Sequence, residues 1–172
     1  SYTTFGYQVS DGTVYGSATT MTVNVTAVND APVATDDASS VNEDSIVRVR
    51  KNGDDLINDD TDTENDSLSV TLIKPLNGSN TTVSSGSSTT ITGTYGQLTV
   101  NSNGGYTYRA NQDAADTLDT GESAEDIFIY TVSDGNGGTD TARLTITING
   151  VEDNPNAVKD NVSLNISENS TL

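Results

Sequence analysis

Residues 142–148, ARLTITI, set apolar Ala142, Leu144, Ile146 and Ile148 at every second position between polar ones, the pattern of a half-buried strand. MTVNVTAV (21–28), SLSVTLI (67–73), QLTV (97–100), YTY (106–108) and FIYTV (128–132) largely keep the same period. Between the runs lie turn-forming pairs, Asn52-Gly53, Asn77-Gly78, Asn103-Gly104 and Asn136-Gly137. A single helical turn is expected near DAADTL (113–118). Short Thr-rich strands separated by Asn, Gly and Asp turns predict an all-β, antiparallel β-sandwich.

The pattern repeats. FGYQVSDG (5–12) and FIYTVSDG (128–135) align with an offset of 123 residues, which also carries Met21 to Leu144, Val23 to Ile146, Val25 to Ile148, Asp30 to Asp153 and Asp37 to Asp160. Residues 1–30 therefore read as the C-terminal strands of a preceding repeat and 33–152 as one complete sandwich. Residues 156–172 read as the first strand of a following repeat in a tandem array. The end pieces each lack what the other supplies, so their association between chains is one expectation.

Composition changes this picture in one direction. The 172 residues include 7 basic and 25 acidic side chains, for a net charge of −18. Nucleic acid and anionic membrane surfaces attract the opposite balance, so neither is an expected partner. With 32% hydrophobic residues composition alone would fit a disordered chain, but the two-residue period argues against that. Cysteine, histidine and tryptophan are absent, which removes disulfides, thiolate or imidazole metal sites and the commonest general base. No apolar run approaches a membrane span, and no leader-like segment opens the stretch, so export is expected to be directed from outside it.

Strand direction sorts the carboxylates. Let the linker VNDAPVATDD (28–37) mark the upper pole; the first strand then descends to NED (42–44) and SIVRVR (45–50) climbs back. INDDTDTEND (57–66) returns to the upper pole, FIYTV ascends to Asp134, and ARLTITI descends into the next linker. Asp30, Asp36, Asp37, Asp59, Asp60, Asp62, Glu64, Asp66 and Asp134 gather above. Glu43, Asp44, Asp119, Glu122, Glu125, Asp126, Glu152 and Asp153 gather below.

Clusters of hard oxygen donors suit Ca²⁺, which accepts six to eight oxygens in flexible geometry. Mg²⁺ demands a stricter octahedron, and zinc prefers residues that are missing. Asp60 to Asp66 has carboxylates at alternate positions like the start of an EF-hand loop, but Asn65 replaces the sixth-position Gly and Thr71 the twelfth-position Glu. An EF-hand is therefore rejected. A solvated acidic loop is the competing reading; convergence of separate acidic segments on one linker favours the metal.

YTVSDGNGGTDTARLTITINGVEDNPNA (130–157) resembles the end of a bacterial cadherin-like or VCBS-type repeat, and VNDAP (28–32) resembles the junction of such repeats. LINDDTDTENDSLSV (56–70) is similar to their acidic loop and YGQLTVNSNGGYTYRAN (95–111) to their central hairpin. The resemblance implies an immunoglobulin/cadherin-like sandwich, extracellular or on the bacterial cell surface, strung in copies along large adhesins. It implies calcium at the junctions. Asp60 and Asp62 resemble the cadherin "DxD" pair, Asp134 the aspartate of "AxD", Asp30 and Asp153 the linker aspartates, and Glu43 the acidic residue after the first strand. Asp119 and Glu122, in LDTGE, are a loose match to "LDRE", and Glu64 stands where such repeats often have Asp.

The expected function is a calcium-rigidified extender module of an adhesin, serving cell adhesion or biofilm, with neighbouring repeats as partners. The alternative is a carbohydrate-binding module of a secreted protein, with Tyr7, Tyr15, Tyr95, Tyr106, Tyr108 and Tyr130 as candidate stacking faces for surface glycans. An enzyme is not expected: carboxylates abound, but no acid/base pair is recognisable.

Overall fold

A computed structural model describes residues 2–152. It contains eleven strands and no helix: β1 (Tyr2–Tyr7), β2 (Thr19–Asn24), β3 (Asp37–Asn42), β4 (Ile46–Val49), β5 (Ser69–Pro75), β6 (Thr81–Thr82), β7 (Ser88–Thr92), β8 (Gln97–Asn101), β9 (Tyr106–Arg109), β10 (Ser123–Ser133) and β11 (Thr139–Asn149). β3 to β11 build the sandwich: a sheet ordered β3-β11-β10-β5-β6 faces one ordered β4-β9-β8-β7. β1 and β2 form a separate antiparallel hairpin in which Phe5 pairs with Met21. Its side chains are exposed on both faces.

Alternation places the core. Phe128, Tyr130 and Val132 of β10 and Leu144, Ile146 and Ile148 of β11 point inward, against Leu98, Val100, Tyr106 and Tyr108 of the opposite sheet. The rings of Tyr108 and Phe128 meet edge to face, centroids 6.2 Å apart. The period breaks once, in β5. Tyr130 pairs with Ile73 but Val132 pairs with Val70, so Thr71 is an extra residue and a β-bulge. Val70 and Ile73 are both buried as a result, three positions apart instead of two.

Three features lie outside the sequence pattern. β6 and β7 hold too few apolar residues to show an alternation. The helical turn expected at 113–118 is instead a run of tight turns, with Ala115 N–H donating to Gln112 O and Leu118 N–H to Ala115 O. Within the antiparallel sandwich one pair, β3 with β11, is parallel, Leu144 opposite Asp37 and Asn149 opposite Asn42. Both strands descend. The chain thus enters the sandwich at the upper pole and leaves it at the lower one.

Candidate metal centre

At the upper pole the acidic loop is organised by Asp62. Its Oδ1 accepts the N–H groups of Glu64 at 3.0 Å and Asp66 at 2.8 Å. The turn this requires is completed by Asn65 at φ 61°, a left-handed conformation that Asn tolerates better than most residues. The backbone here is what glycine would supply, so the Asn that argued against a calcium loop in sequence does not alter the turn. Carboxylate oxygens of Asp62, Glu64 and Asp66 consequently lie within 4.8 Å of one another.

The linker is tied to this loop at three places and to Asp134 beside it at a fourth. Val33 and Thr61 exchange backbone hydrogen bonds of 2.8 and 3.1 Å. Thr35 N–H donates to Asp60 Oδ1 at 2.8 Å, and Asp30 N–H to Glu64 Oε2 at 3.2 Å. The fourth tie is Asn29 Nδ2 to Asp134 Oδ2, at 2.7 Å. Asp134 also accepts the N–H groups of Asn136 and Gly138. The Asn29 amide foremost, then these backbone donors, hold its carboxyl below the usual range against the effect of burial. Gly138 is needed because the linker backbone at Ala31 and the Asp134 carboxylate both crowd its missing Cβ.

Two oxygens are left over. Asp60 Oδ2 and Asp62 Oδ2 are buried and accept no hydrogen bond. Asp60 and Asp62 also line a hollow of about 510 Å³, together with Asn65, Asp66 and Lys51. Burial, opposed by the Thr35 N–H and reinforced by Asp59, Asp140 and Asp55, pushes the Asp60 carboxyl up to about 6. A buried acceptor without a partner costs about 1–3 kcal/mol, and more when charged. An all-oxygen set with two such atoms fits a hard divalent cation such as calcium. Asp60, Asp62, Glu64 and Asp66 are the residues that would hold it, and Asp30 lies alongside with its carboxylate exposed.

The lower pole is sparser. Glu43 is 1% exposed. One carboxylate oxygen accepts the N–H of Val151, in the next linker, while Oε2 is buried without a partner. Glu43 N–H also donates to Asn149 O at 3.0 Å. Asp119 and Glu122 close their own turn, Asp119 N–H to Glu122 Oε2 at 3.1 Å, and both carboxylates are exposed. Gly150 N–H bonds Glu122 O, and its missing Cβ lets the linker pass against the carbonyls of Leu118 and Asp119. The loop thus meets the linker through backbone, with Glu43 on the linker's next residue. Asp153 lies outside the described residues, as does the strand expected at 156–172.

Several residues have tasks that the sequence did not single out. Asp126, in the lower acidic group, is 3% exposed and accepts Thr94, Tyr95 and Gly96 N–H and the Tyr108 hydroxyl at 2.6 Å. All these bonds are internal, so it anchors the β7–β8 turn. Asp140 takes the N–H of Ala34 and Asp36 that of Arg143. Asp66 accepts Asn136 Nδ2 at 2.7 Å. Lys51 comes to the acidic hollow from the end of β4, a contact no local spacing reveals. Of the tyrosines offered as stacking faces, Tyr106, Tyr108 and Tyr130 are buried in the core and cannot serve; Tyr7 and Tyr15 are exposed on and beside the hairpin.

The profile of the bacterial cadherin-like domain matches residues 29–150. The chain belongs to the bacterial cadherin-like family. Within reach of this cadherin-like chain is the calcium-binding lectin RapA2 of Rhizobium johnstonii, 31% identical over 150 residues. The match covers 85% of this chain and 58% of that lectin, so the chain spans little more than half its length. Two solved structures align more distantly. A nucleoside hydrolase-related protein from Saccharophagus degradans, associated with carbohydrate metabolism, is 17% identical with a TM-score of 0.40, over 73% of this chain and 26% of its own. The endo-fucoidan hydrolase MfFcnA9, of glycoside hydrolase family 107, is 15% identical with a TM-score of 0.31, over 85% and 22%. Scores this low bear on neither fold nor function of the cadherin-like chain.

Proposed function

We propose that this cadherin-like chain is an extender module of a bacterial surface or secreted adhesin, stiffened by calcium at its linkers. In this reading residues 33–152 are one complete repeat, 1–30 end the preceding repeat and 156–172 begin the next. What supports the reading is one arrangement found three times. Asp60, Asp62 and Glu43 each commit one oxygen to a backbone N–H and leave the other buried without a partner. For Asp60 and Glu43 that N–H belongs to a linker. A cation on the free oxygens would therefore tighten the same side chains that hold the linker, and would neutralise repulsion that otherwise opposes compaction. Calcium supplies charge and a flexible coordination shell; Asp62 shapes the loop, Asp134 clamps Asn29, and Asp60 with Glu64 grips the linker backbone. Asp153 would serve the lower junction.

The family and the lectin relative speak for a non-enzymatic adhesion role outside the cell. No helix among the described residues is long and apolar enough to cross a membrane. Extracellular calcium modules bind at roughly 0.1–1 mM. Adding calcium at about ten times that should raise the melting temperature and the maximum dimension in solution scattering. If neither quantity moves, the linker model is wrong. A second reading, contact with surface glycans, is favoured by the likeness to the lectin RapA2.

A further inference from the structure

Only seven of the 172 residues are basic, and four of them, Arg48, Arg50, Lys51 and Arg109, fall in one corner of the sandwich. β4 and β9 are paired there, Ile46 with Arg109 and Arg48 with Thr107. Burial alternates along both strands. Tyr106 and Tyr108 face the core, and Arg48 and Arg109 stand on the outer surface. Arg50 continues the Arg48 row, about 7 Å further at two strand steps. A hollow of about 280 Å³ opens beside them, lined by Arg48, Arg50, Lys51, Asn101, Asn103 and Thr107. Asp54 lies at the end of a second hollow along the same segment.

We propose that this cleft binds an acidic polysaccharide through its carboxylate groups. It goes beyond the calcium reading and rests on the second one, glycan contact, to which it gives a site and a ligand class. In a chain of net charge −18, repulsion should scatter an anionic ligand, yet screening at physiological salt shortens the reach of charge to about 8 Å. A ligand group in the cleft therefore responds first to the guanidinium groups of Arg48 and Arg50, with Lys51 shared between the cleft and the acidic hollow. Two arginines in a row offer forked donors matched to carboxylates. The surface beside them is a carpet of hydroxyls and amides suited to sugar hydroxyls: Thr107 pairs with Thr99, and Thr99 Oγ1 lies 2.8 Å from Thr90 Oγ1. Nucleic-acid clefts add exposed aromatic platforms, whereas the tyrosines of β9 point into the core.

The test is affinity electrophoresis and calorimetry of the full chain with polygalacturonate, dextran and polyglutamate, each with calcium and with EDTA. Melting curves are recorded on the same samples. The expected result is retention by polygalacturonate and not by dextran, weakening with salt. The exposed pair Arg48→Ala/Arg50→Ala should weaken it at least about tenfold with unchanged melting behaviour, a loss of roughly 1.4 kcal/mol. Lys51 is left in place because it also borders the acidic hollow. Undiminished binding by the double variant overturns the site but leaves glycan contact standing. Binding to neither polysaccharide overturns both. Equal binding to polyglutamate makes the partner an acidic protein and overturns the glycan. Binding that EDTA abolishes while the fold persists assigns the carboxylates to metal at the poles and overturns it too.

Discussion

At the upper pole Asp60 and Asp62 share a loop with Glu64 and Asp66, and hydrogen bonds from Asn29, Asp30, Val33 and Thr35 lash the linker to that loop or to Asp134 beside it. At the lower pole, among the described residues, Glu43 is the one carboxylate that holds the linker; Glu122 meets it through its backbone carbonyl, and the carboxylates of Asp119 and Glu122 face solvent. Both ends are acidic, and both hold a carboxylate oxygen that nothing donates to. The difference is preorganisation. Above, backbone donors have already fixed several carboxylates in place, so a cation would find its ligands gathered. Below, one carboxylate is held in place, and a cation would need others brought to it.

The comparison is broken most directly by Asp60→Asn with Asp62→Asn. With a dissociation constant of roughly 0.1–1 mM, about 10 mM calcium stabilises by about 1.4–2.7 kcal/mol. The double variant should lose most of that gain in calcium-dependent melting while keeping its circular dichroism. A smaller effect, of about 1 kcal/mol, is expected below. Glu43→Gln keeps a carbonyl for the Val151 N–H and removes a buried charge. It should raise the calcium-free melting temperature and leave the upper-pole calcium gain intact. If it abolishes that gain as completely as the upper pair does, the two poles are not separate centres.

The smallest effect is one of pH. Burial, opposed by the Tyr130 hydroxyl and reinforced by Asp59, Asp60 and Asp55, pushes the Asp37 carboxyl up to about 7, and that of Asp60 reaches about 6. Both start from 3.8, so the folded chain holds these protons more tightly than the unfolded one. Their stabilising contribution is complete below about pH 4 and is lost as pH rises through 6 to 7. Calcium-free melting temperature should therefore fall between about pH 5 and pH 8. Asp37→Asn, outside the proposed ligand set, should flatten that fall and not affect the calcium gain. An unchanged slope would show that the pole does not titrate in this way.

How far these features could be read from sequence depends on how local their causes are. Strands β8 and β9, β10 from Phe128 on and β11 from Ala142 on follow from alternation because the inward residues there are apolar, whereas Asp126, inward near the start of β10, carries no such signal. β5 is misread by one position because a bulge at Thr71 leaves no mark in a two-residue pattern. β7 offers Ile91 as its one buried hydrophobe, too little to show a period. At the site, strand direction alone was enough to set Asp134, Asp60 and the linker at one end. It could not say that Asp134 would be saturated by N–H donors while Asp60 would not, since that depends on where Asn29, Thr35 and Gly138 come to rest. Nor could it bring Lys51 to the hollow. The left-handed φ of Asn65 was the subtlest: an Asn was read as the absence of Gly, although it is the side chain best able to replace it there.

The parallel pairing of β3 and β11 has a mechanical meaning. A pull on the two linkers drags one strand upward and the other downward along a shared ladder, so the hydrogen bonds from Asp37 to Asn42 are loaded together in shear and none can be peeled first. Traction applied through residues 28–37 and Val151 would therefore meet the sandwich where it resists as a unit.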